Sequence, residues 1–437
     1  MKEGNAISLP KGWEVKKLGE ICEFENGDRG VNYPSKSHRT EMGIPFINAG
    51  HLTSNGLDIY SMDYISKERF DLLGSGKVQK GDILFCLRGS LGKFAKVHEF
   101  SEGAIASSLV IVRPKSKVTS DFLMIYFESK ICADMITDFA NGAAQPNLSA
   151  GNLKNFIIPL PPLSEQQRIV AILDEAFAGI AKAKAKAEQN LKNAKELFES
   201  YLQGVFENKG EGWEEKTLEQ ISKSFGRGKS RHRPRNFEGL YGGAYPFIQT
   251  GDIRNCNHYI TEYTQTYNDL GLAQSKLWPA GTICITIAAN IAETGVLTFD
   301  ACFPDSVIGV VVNENLADRD FVEYLLQSFK ARIQSLGKGS AQANINMGTF
   351  ENELFPFPTV AEQKEIVQKL NALSAETKRL EGIYQQKIND LEELKKSVLQ
   401  KAFRGELRSP EGAEYRSEGH RPSLRMGKNI PQSPERA

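Results

Sequence analysis

The segment KSFGRGKSRHRPR, residues 223–235, holds Lys223, Arg227, Lys229, Arg231, Arg233 and Arg235, with His232 and no acid. Glycine and proline interrupt it, so it reads as a loop and not as a basic helix. Guanidinium groups on a loop suit phosphate contacts and the bidentate reading of guanine edges, and so dense a cluster repels itself without anions nearby. The alternative is a solvated surface loop. A sparser set lies in CEFENGDRGVNYPSKSHRTEMG (22–43), namely Arg29, Lys36, His38 and Arg39. Arg88 and Lys93 of LRGSLGK (87–93) offer a further candidate edge.

Nearly every common catalytic signature is missing from the sequence. It has no G-x-x-x-x-G-K-S/T, H-E-x-x-H or G-x-S-x-G motif, no zinc-deaminase pattern and no Asn/Asp-Pro-Pro-Phe/Tyr tetrapeptide of adenine methyltransferases. FENGDRG and LRGSLGK read as turns before nucleotide cradles. Cys22, Cys86, Cys132, Cys256, Cys284 and Cys302 are far apart and form no C-x-x-C pair, which predicts free, mostly buried thiols and no metal site. Lys plus Arg and Asp plus Glu both total 54, so the net charge is zero and any nucleic-acid affinity must come from a local patch. No apolar run reaches membrane-spanning length, and the start has no apolar core of signal-peptide length.

The elements that must position these loops occur twice. GAAQPNLSAGNLKNFIIPLPPLSEQQRIV (142–170) and GSAQANINMGTFENELFPFPTVAEQKEIV (339–367) share 12 of 29 residues without a gap. Further pairs precede them: GWEVKKLGEI (12–21) with GWEEKTLEQI (212–221), IPFINAGHL (44–52) with YPFIQTGDI (245–253), and KVQKGDILFCLRGS (77–90) with KLWPAGTICITIAA (276–289). DFLMIYF (121–127) answers DFVEYLL (320–326). A tandem repeat of about 200 residues exceeds any solenoid unit, so each copy has its own core.

Within each copy, short apolar runs such as DILFCL, SSLVIV and SVIGVVV alternate with Gly, Asn, Ser and Pro, the pattern of a mixed α/β module with long loops. Helical segments are predicted at about 121–137 and 320–335. Proline-free stretches with helical apolar spacing follow, over 164–206 and 361–403. A core stripe is expected at Ile169, Leu173, Ile180, Leu191 and Tyr201, and at Ile366, Leu370, Leu380, Leu391 and Leu394. A helix of such length needs a helical partner, and the simplest is an antiparallel pairing of the two. Dimerisation of identical chains is the alternative. AGIAKAKAKAE (178–188) interrupts the stripe with little apolar bulk.

The organisation read from these patterns is a module at 1–160, a long helix at 161–206, a second module at 207–357, a second long helix at 358–405 and a polar tail at 406–437. The proline-bracketed runs before each helix are extended exits, because a residue preceding proline is pushed from helical geometry. Ser164 is the expected cap of the first helix and Thr359 of the second, with Glu362 completing a capping box.

In this duplicated context the chain resembles the DNA specificity subunit of type I restriction-modification systems, over about residues 10–405. The paired module starts, IPFINAGHL and YPFIQTGDI, GAAQPNLS and GSAQANIN, and IPLPPLSEQQRIVAIL and FPFPTVAEQKEIVQKL carry that resemblance. It implies two target recognition domains that each bind one half of a split, asymmetric sequence in double-stranded DNA, with the helices setting the spacer. It also implies two modification subunits that methylate adenine N6 with S-adenosylmethionine, and up to two restriction subunits using ATP and Mg2+, in a prokaryotic cytoplasm. This chain would then bind no cofactor and be noncatalytic. Gln145, Asn147, Gln342 and Asn344, with Glu165, Gln166, Glu362 and Gln363, are expected to stitch each domain to its helix. The alanine-lysine run would face solvent, a methyltransferase or the DNA spacer. The rival reading is a noncatalytic scaffold with two protein-binding modules on a coiled-coil spacer.

Overall fold

The central strands Ile83–Cys86 and Ile283–Thr286 are buried at every position because they face two different cores. In the computed structural model, which describes residues 9–53, 56–140, 147–231, 237–288, 290–336 and 347–407, the chain divides into two compact units, 1–183 with 390–437 and 184–389. In the first unit, Ile83, Phe85, Val110 and Val112 point to one core, while Leu84, Cys86, Leu109 and Ile111 point to the other. This is the period-2 alternation of extended chain, with both faces buried. In the second unit Ile283, Ile285, Ile308 and Val310 face one core, and Cys284 and Val307 the opposite one.

The first module has a four-stranded sheet in the order Phe94–Lys96, Ile83–Cys86, Leu109–Pro114, Cys22–Asn26, and a five-stranded sheet in the order Arg39–Thr40, Asp63–Ile65, Ile44–Ile47, Gly103–Ile105, Lys77–Val78. The second repeats the plan. Ser222–Arg227, Val307–Val312, Ile283–Thr286 and Thr294–Leu297 follow one another in one sheet, extended by Tyr259–Ile260. Gln265–Tyr267, Tyr241–Phe247, Ala301–Cys302 and Leu277–Trp278 form the other. The entry strand of each module pairs antiparallel with its exit: Glu14 with Leu160, and Glu214 with Phe357. The chain therefore leaves each module beside the place where it entered.

The helical segment after the strands differs between copies. It is continuous over Arg319–Leu336, but it breaks between Ser120–Glu128 and Lys130–Ala140. At the break Ser129 is extended (ψ 154°) and its Oγ donates to the Tyr126 carbonyl at 2.6 Å. The serine offers the backbone a partner that competes with helix continuation.

The long helices span Leu163–Glu207 and Val360–Arg404, 45 residues each, or about 68 Å at the standard rise. In the first unit the beginning of the first helix (Ile169, Leu173) and the end of the second (Leu399, Ala402, Phe403) share the module's core. In the second unit the end of the first (Leu202, Phe206) and the beginning of the second (Val367, Leu370) do so. The helices therefore pair antiparallel within one chain, which removes the need for a second copy.

The seam corrects two of the stripe assignments. Ile169, Leu173 and Leu370 are buried, Ile180, Leu191, Ile366, Leu380 and Leu391 are half-buried, but Tyr201 and Leu394 are 41 % and 47 % exposed. Beyond Ala194 the buried face steps through Phe198, Leu202 and Phe206 at intervals of four, which leaves Tyr201 about 100° off the seam. Near Leu394 the adjoining Lys395 instead faces Phe177, with Nζ 4.7 Å from the ring centroid, and pairs with Glu128 at 3.1 Å. In the alanine-lysine run, Ala187 is buried while Lys182 and Lys186 are exposed. Small residues hold the seam there.

The second helix stops in a Schellman arrangement: Gly405 at φ 69° donates to the Ala402 carbonyl, and Glu406 to that of Lys401. Its start is capped by Thr359, whose Oγ1 accepts from the Glu362 N–H at 3.4 Å. The first helix begins earlier than Ser164: the Pro162 carbonyl accepts from the Glu165 and Gln166 N–H groups, so Ser164 lies inside the first turn and is not the cap. No helix among the described residues is long and apolar enough to cross a membrane.

Candidate nucleic-acid interface

The basic loops grow from the same strand in both modules. Asn26 lies opposite Val110, and Arg227 opposite Ile308, at matching ends of Cys22–Asn26 and Ser222–Arg227. The next residue is glycine in each case, for one steric reason. A Cβ on Gly27 would meet the Ala106 carbonyl oxygen at 2.6 Å, and one on Gly228 the Phe303 carbonyl oxygen at 2.3 Å. Glycine lets the loop turn tightly back over the sheet that carries Gly103–Ile105 in the first module and Ala301–Cys302 in the second.

In the second module Arg227 Nε donates to the Asp305 carbonyl at 2.8 Å, the Lys229 N–H to the Phe303 carbonyl at 3.1 Å, and the Arg231 N–H to Gln274 Oε1 at 2.6 Å. All three side chains are exposed. The last two bonds pin the loop by its backbone and leave the Lys229 and Arg231 side chains exposed. Lys223 is not part of this group: it sits four residues, about 13 Å, back along the strand and pairs with Glu314 at 3.6 Å. Arg233 and Arg235 fall outside the described residues.

The first module's loop is chemically different. Asp28 stands where Lys229 stands in the second copy, and its carboxylate accepts from the Gly30 N–H at 2.6 Å and the Gly74 N–H at 2.7 Å. Those bonds hold it below the ordinary carboxylate range, the Gly30 bond most strongly. Arg29 is exposed and donates to the Ser107 carbonyl at 3.3 Å. Lys36 is exposed on the turn Lys36–His38. Arg39 is instead engaged: Nη1 lies 2.5 Å from Asp63 Oδ2, and the guanidinium is 5.7 Å from the centre of the Phe46 ring. Arg88 and Lys93 are exposed on the turn joining Ile83–Cys86 to Phe94–Lys96, whose glycines, Gly89 and Gly92, have φ of 78° and 83°.

The two junctions are built alike. Gln166, fully buried, accepts from the Thr119 N–H at 3.0 Å through Oε1 and donates to the carbonyls of Lys117 (3.0 Å) and Pro161 (2.9 Å) through Nε2. Gln363, also fully buried, accepts from the Asp318 N–H at 2.7 Å and donates to the Pro358 carbonyl at 2.9 Å. Each amide thus ties the exit segment to the loop that starts the module's own helix. The neighbouring glutamates differ. Glu165 pairs with Arg168 at 2.7 Å, and Arg168 also reaches the Leu407 carbonyl at 3.1 Å, whereas Glu362 accepts from Trp213 Nε1 at 3.0 Å in place of a reciprocal cap. Asn147 is exposed, while Gln145, Gln342 and Asn344 fall outside the described residues.

One buried ionic group carried no mark in the sequence. His258, at φ 72°, has Nδ1 2.5 Å from Glu323 Oε2 and Nε2 3.5 Å from Asp320 Oδ1. Tyr259 donates to Asp320 at 3.0 Å, and Thr294 and Gln327 donate to Glu323. Burial pushes the imidazolium down, but the bonds and charges of Asp320 and Glu323 outweigh it and hold the pKa at about 9. The histidine lies more than sixty residues from its acids, so no local pattern could have announced it. No group of three or more His, Cys, Asp and Glu able to hold a metal ion occurs among the described residues. All six cysteines are free, and burial pushes the Cys22, Cys132 and Cys256 thiols up to about 12.

A twice-used α/β scaffold, divergent polar loops and a pair of long antiparallel helices together define a duplicated α/β and coiled-coil protein. The chain belongs to the type I restriction modification DNA specificity domain family, whose model matches residues 10–193 and again 210–393. It is 22 % identical over 460 residues to the type I restriction enzyme EcoKI specificity subunit of Escherichia coli K12, covering 97 % of this chain and 94 % of that one. It is 23 % identical over 432 residues to the MjaVIII specificity subunit of Methanocaldococcus jannaschii, covering 93 % and 96 %. Its fold is that of a solved chain described for complex assembly and conformational transition of the type I R-M system (TM-score 0.76, 21 % identity, 92 % and 100 % covered). The HsdS subunit of Thermoanaerobacter tengcongensis also shares it (TM-score 0.63, 21 % identity, 93 % and 100 % covered).

Proposed function

We propose that this chain is the noncatalytic reader of a type I restriction-modification assembly, in which each module binds one half of a split duplex DNA target. The observation that carries the reading is internal: the two modules share the order of their central strands and the buried glutamines, while the loops above them differ in charge. Direct readout requires such a combination, because base edges are distinguished by side chains and a common frame only has to present them. The exposed Lys229 and Arg231, with Arg29, Lys36, Arg88 and Lys93 on the other module, supply phosphate contacts in this reading. The paired helices separate the half-sites and so fix the unspecified spacer. Two modification subunits methylate adenine N6 from S-adenosylmethionine, and up to two restriction subunits bring ATP- and Mg2+-dependent cleavage. Methylation mapping of DNA from cells expressing the chain with its modification subunit tests this. Adenine methylation in two half-sites at constant spacing is the expected result, and methylation that persists unchanged without this chain would refute it.

A further inference from the structure

Resting on that reading, we infer that the side chains at one matched place on the sheet that carries Ile44–Ile47 in the first module and Tyr241–Phe247 in the second are base-reading groups: Asn48 and Asp63 in the first module, Gln249 and Gln265 in the second. The match is one of register. Phe46 pairs with Asp63 on one side and Ala104 on the other, and Phe247 pairs with Gln265 and Cys302 in the same sense. Asn48 and Gln249 each follow that phenylalanine by two residues. Their backbone N–H groups are bonded alike, to His51 Nδ1 at 3.2 Å and to Asp252 Oδ2 at 2.8 Å, each three residues on. The backbones are therefore equivalent, and the first side chain touches the second in both: Asn48 Nδ2 donates to Asp63 Oδ2 at 3.2 Å, and Gln249 Nε2 to Gln265 Oε1 at 2.5 Å.

The chemistry built on that shared frame is not equivalent. The first module offers a carboxylate held by an amide and by the Arg39 guanidinium, while the second offers two neutral amides. The junction glutamines show what a purely structural polar group does in this chain: it is wholly buried and identical in both copies. Asn48, Asp63 and Gln249 are half-buried and Gln265 is exposed. In the second module the pair lines an open groove of about 350 Å³ together with Thr250, Tyr241 and Ser306. Ser230, flanked by Lys229 and Arg231 of the basic loop, forms another part of its wall. A groove of hydrogen-bonding side chains bordered by cations suits a base edge with its phosphates alongside. Amides match the adenine donor and acceptor pair, and a carboxylate with a guanidinium matches the cytosine and guanine edges.

The test uses the complete complex of this chain with its modification subunits and reads the genomic methylation motif. Gln249→Met with Gln265→Met keeps side-chain length and removes hydrogen bonding. Discrimination at a base pair of one half-site should fall on the order of 10- to 100-fold, with the other half-site and the spacer unchanged. An unchanged motif, or weaker methylation at every site with unchanged discrimination, would overturn the inference while leaving the proposed function intact. Should that variant fail to melt like the native chain, Asp63→Asn in the first module must relax the opposite half-site, and an unchanged motif there overturns the inference equally. A native chain that directs no methylation would instead overturn the functional reading on which this rests.

Discussion

Gln363 Oε1 accepts the Asp318 N–H at 2.7 Å while its Nε2 donates to the Pro358 carbonyl, and Gln166 holds Thr119 and Pro161 in the same manner. One fully buried amide at the head of each long helix thereby fixes the direction in which the helix leaves its module. Gln363→Met would strip partners from a part-buried N–H and a buried carbonyl. The expected cost is about 2–4 kcal/mol, because a buried group left unsatisfied costs about 1–3 kcal/mol. Denaturant unfolding checks it, and Gln166→Met should destabilise similarly; a change below about 0.5 kcal/mol, the ordinary range of surface substitutions, would remove the clamp from the account.

The repeated E-Q at 165–166 and 362–363 marked the junction in the sequence, but the groups each glutamine holds, the Thr119 and Asp318 N–H groups, lie more than forty residues away and leave no local signal. The stripe positions show a related limit. Ile169, Leu173 and Leu370 follow from spacing alone, whereas Tyr201 and Leu394 depend on helical phase after several turns, and Lys395, not Leu394, meets the Phe177 ring. Long-range ionic groups leave no local trace, as His258 illustrates. Module, exit strand and rod were legible because they occur twice.

His258 should give the second unit a pH-dependent stability. Its folded pKa, about 9, lies above the ordinary 6.5, so its contribution is complete below pH 6.5 and is lost as pH rises through 9. The amount is on the order of 3 kcal/mol. Thermal melts of the native chain and of His258→Gln from pH 6 to 10 check this. The native curve should fall over that window and the variant's should be flatter; parallel curves would contradict the pairing.

Lys229→Ala with Arg231→Ala should weaken binding of the assembled complex to its DNA and flatten the salt dependence. Loss of two phosphate contacts lowers the slope of log affinity against log salt by about 1.8. Titrations at several salt concentrations measure it, and an unchanged slope would take the loop off the DNA.

If the rod sets the spacer, inserting one heptad into each long helix, after Ala183 and after Asn389 where the compact units divide, should lengthen the spacer. Seven residues add about 10 Å, equivalent to roughly 3 base pairs. Methylation mapping reads the spacing directly, and an intact complex with the original spacer would show that the helices do not set it.

The central claim is that the two modules read separately. Replacing residues 207–357 by the corresponding module of another family member, with both long helices kept, and mapping adenine methylation in cells tests it most directly. The account predicts a new sequence in one half-site, with the other half-site and the spacer retained. A change in both half-sites, or in neither while methylation continues, would contradict it.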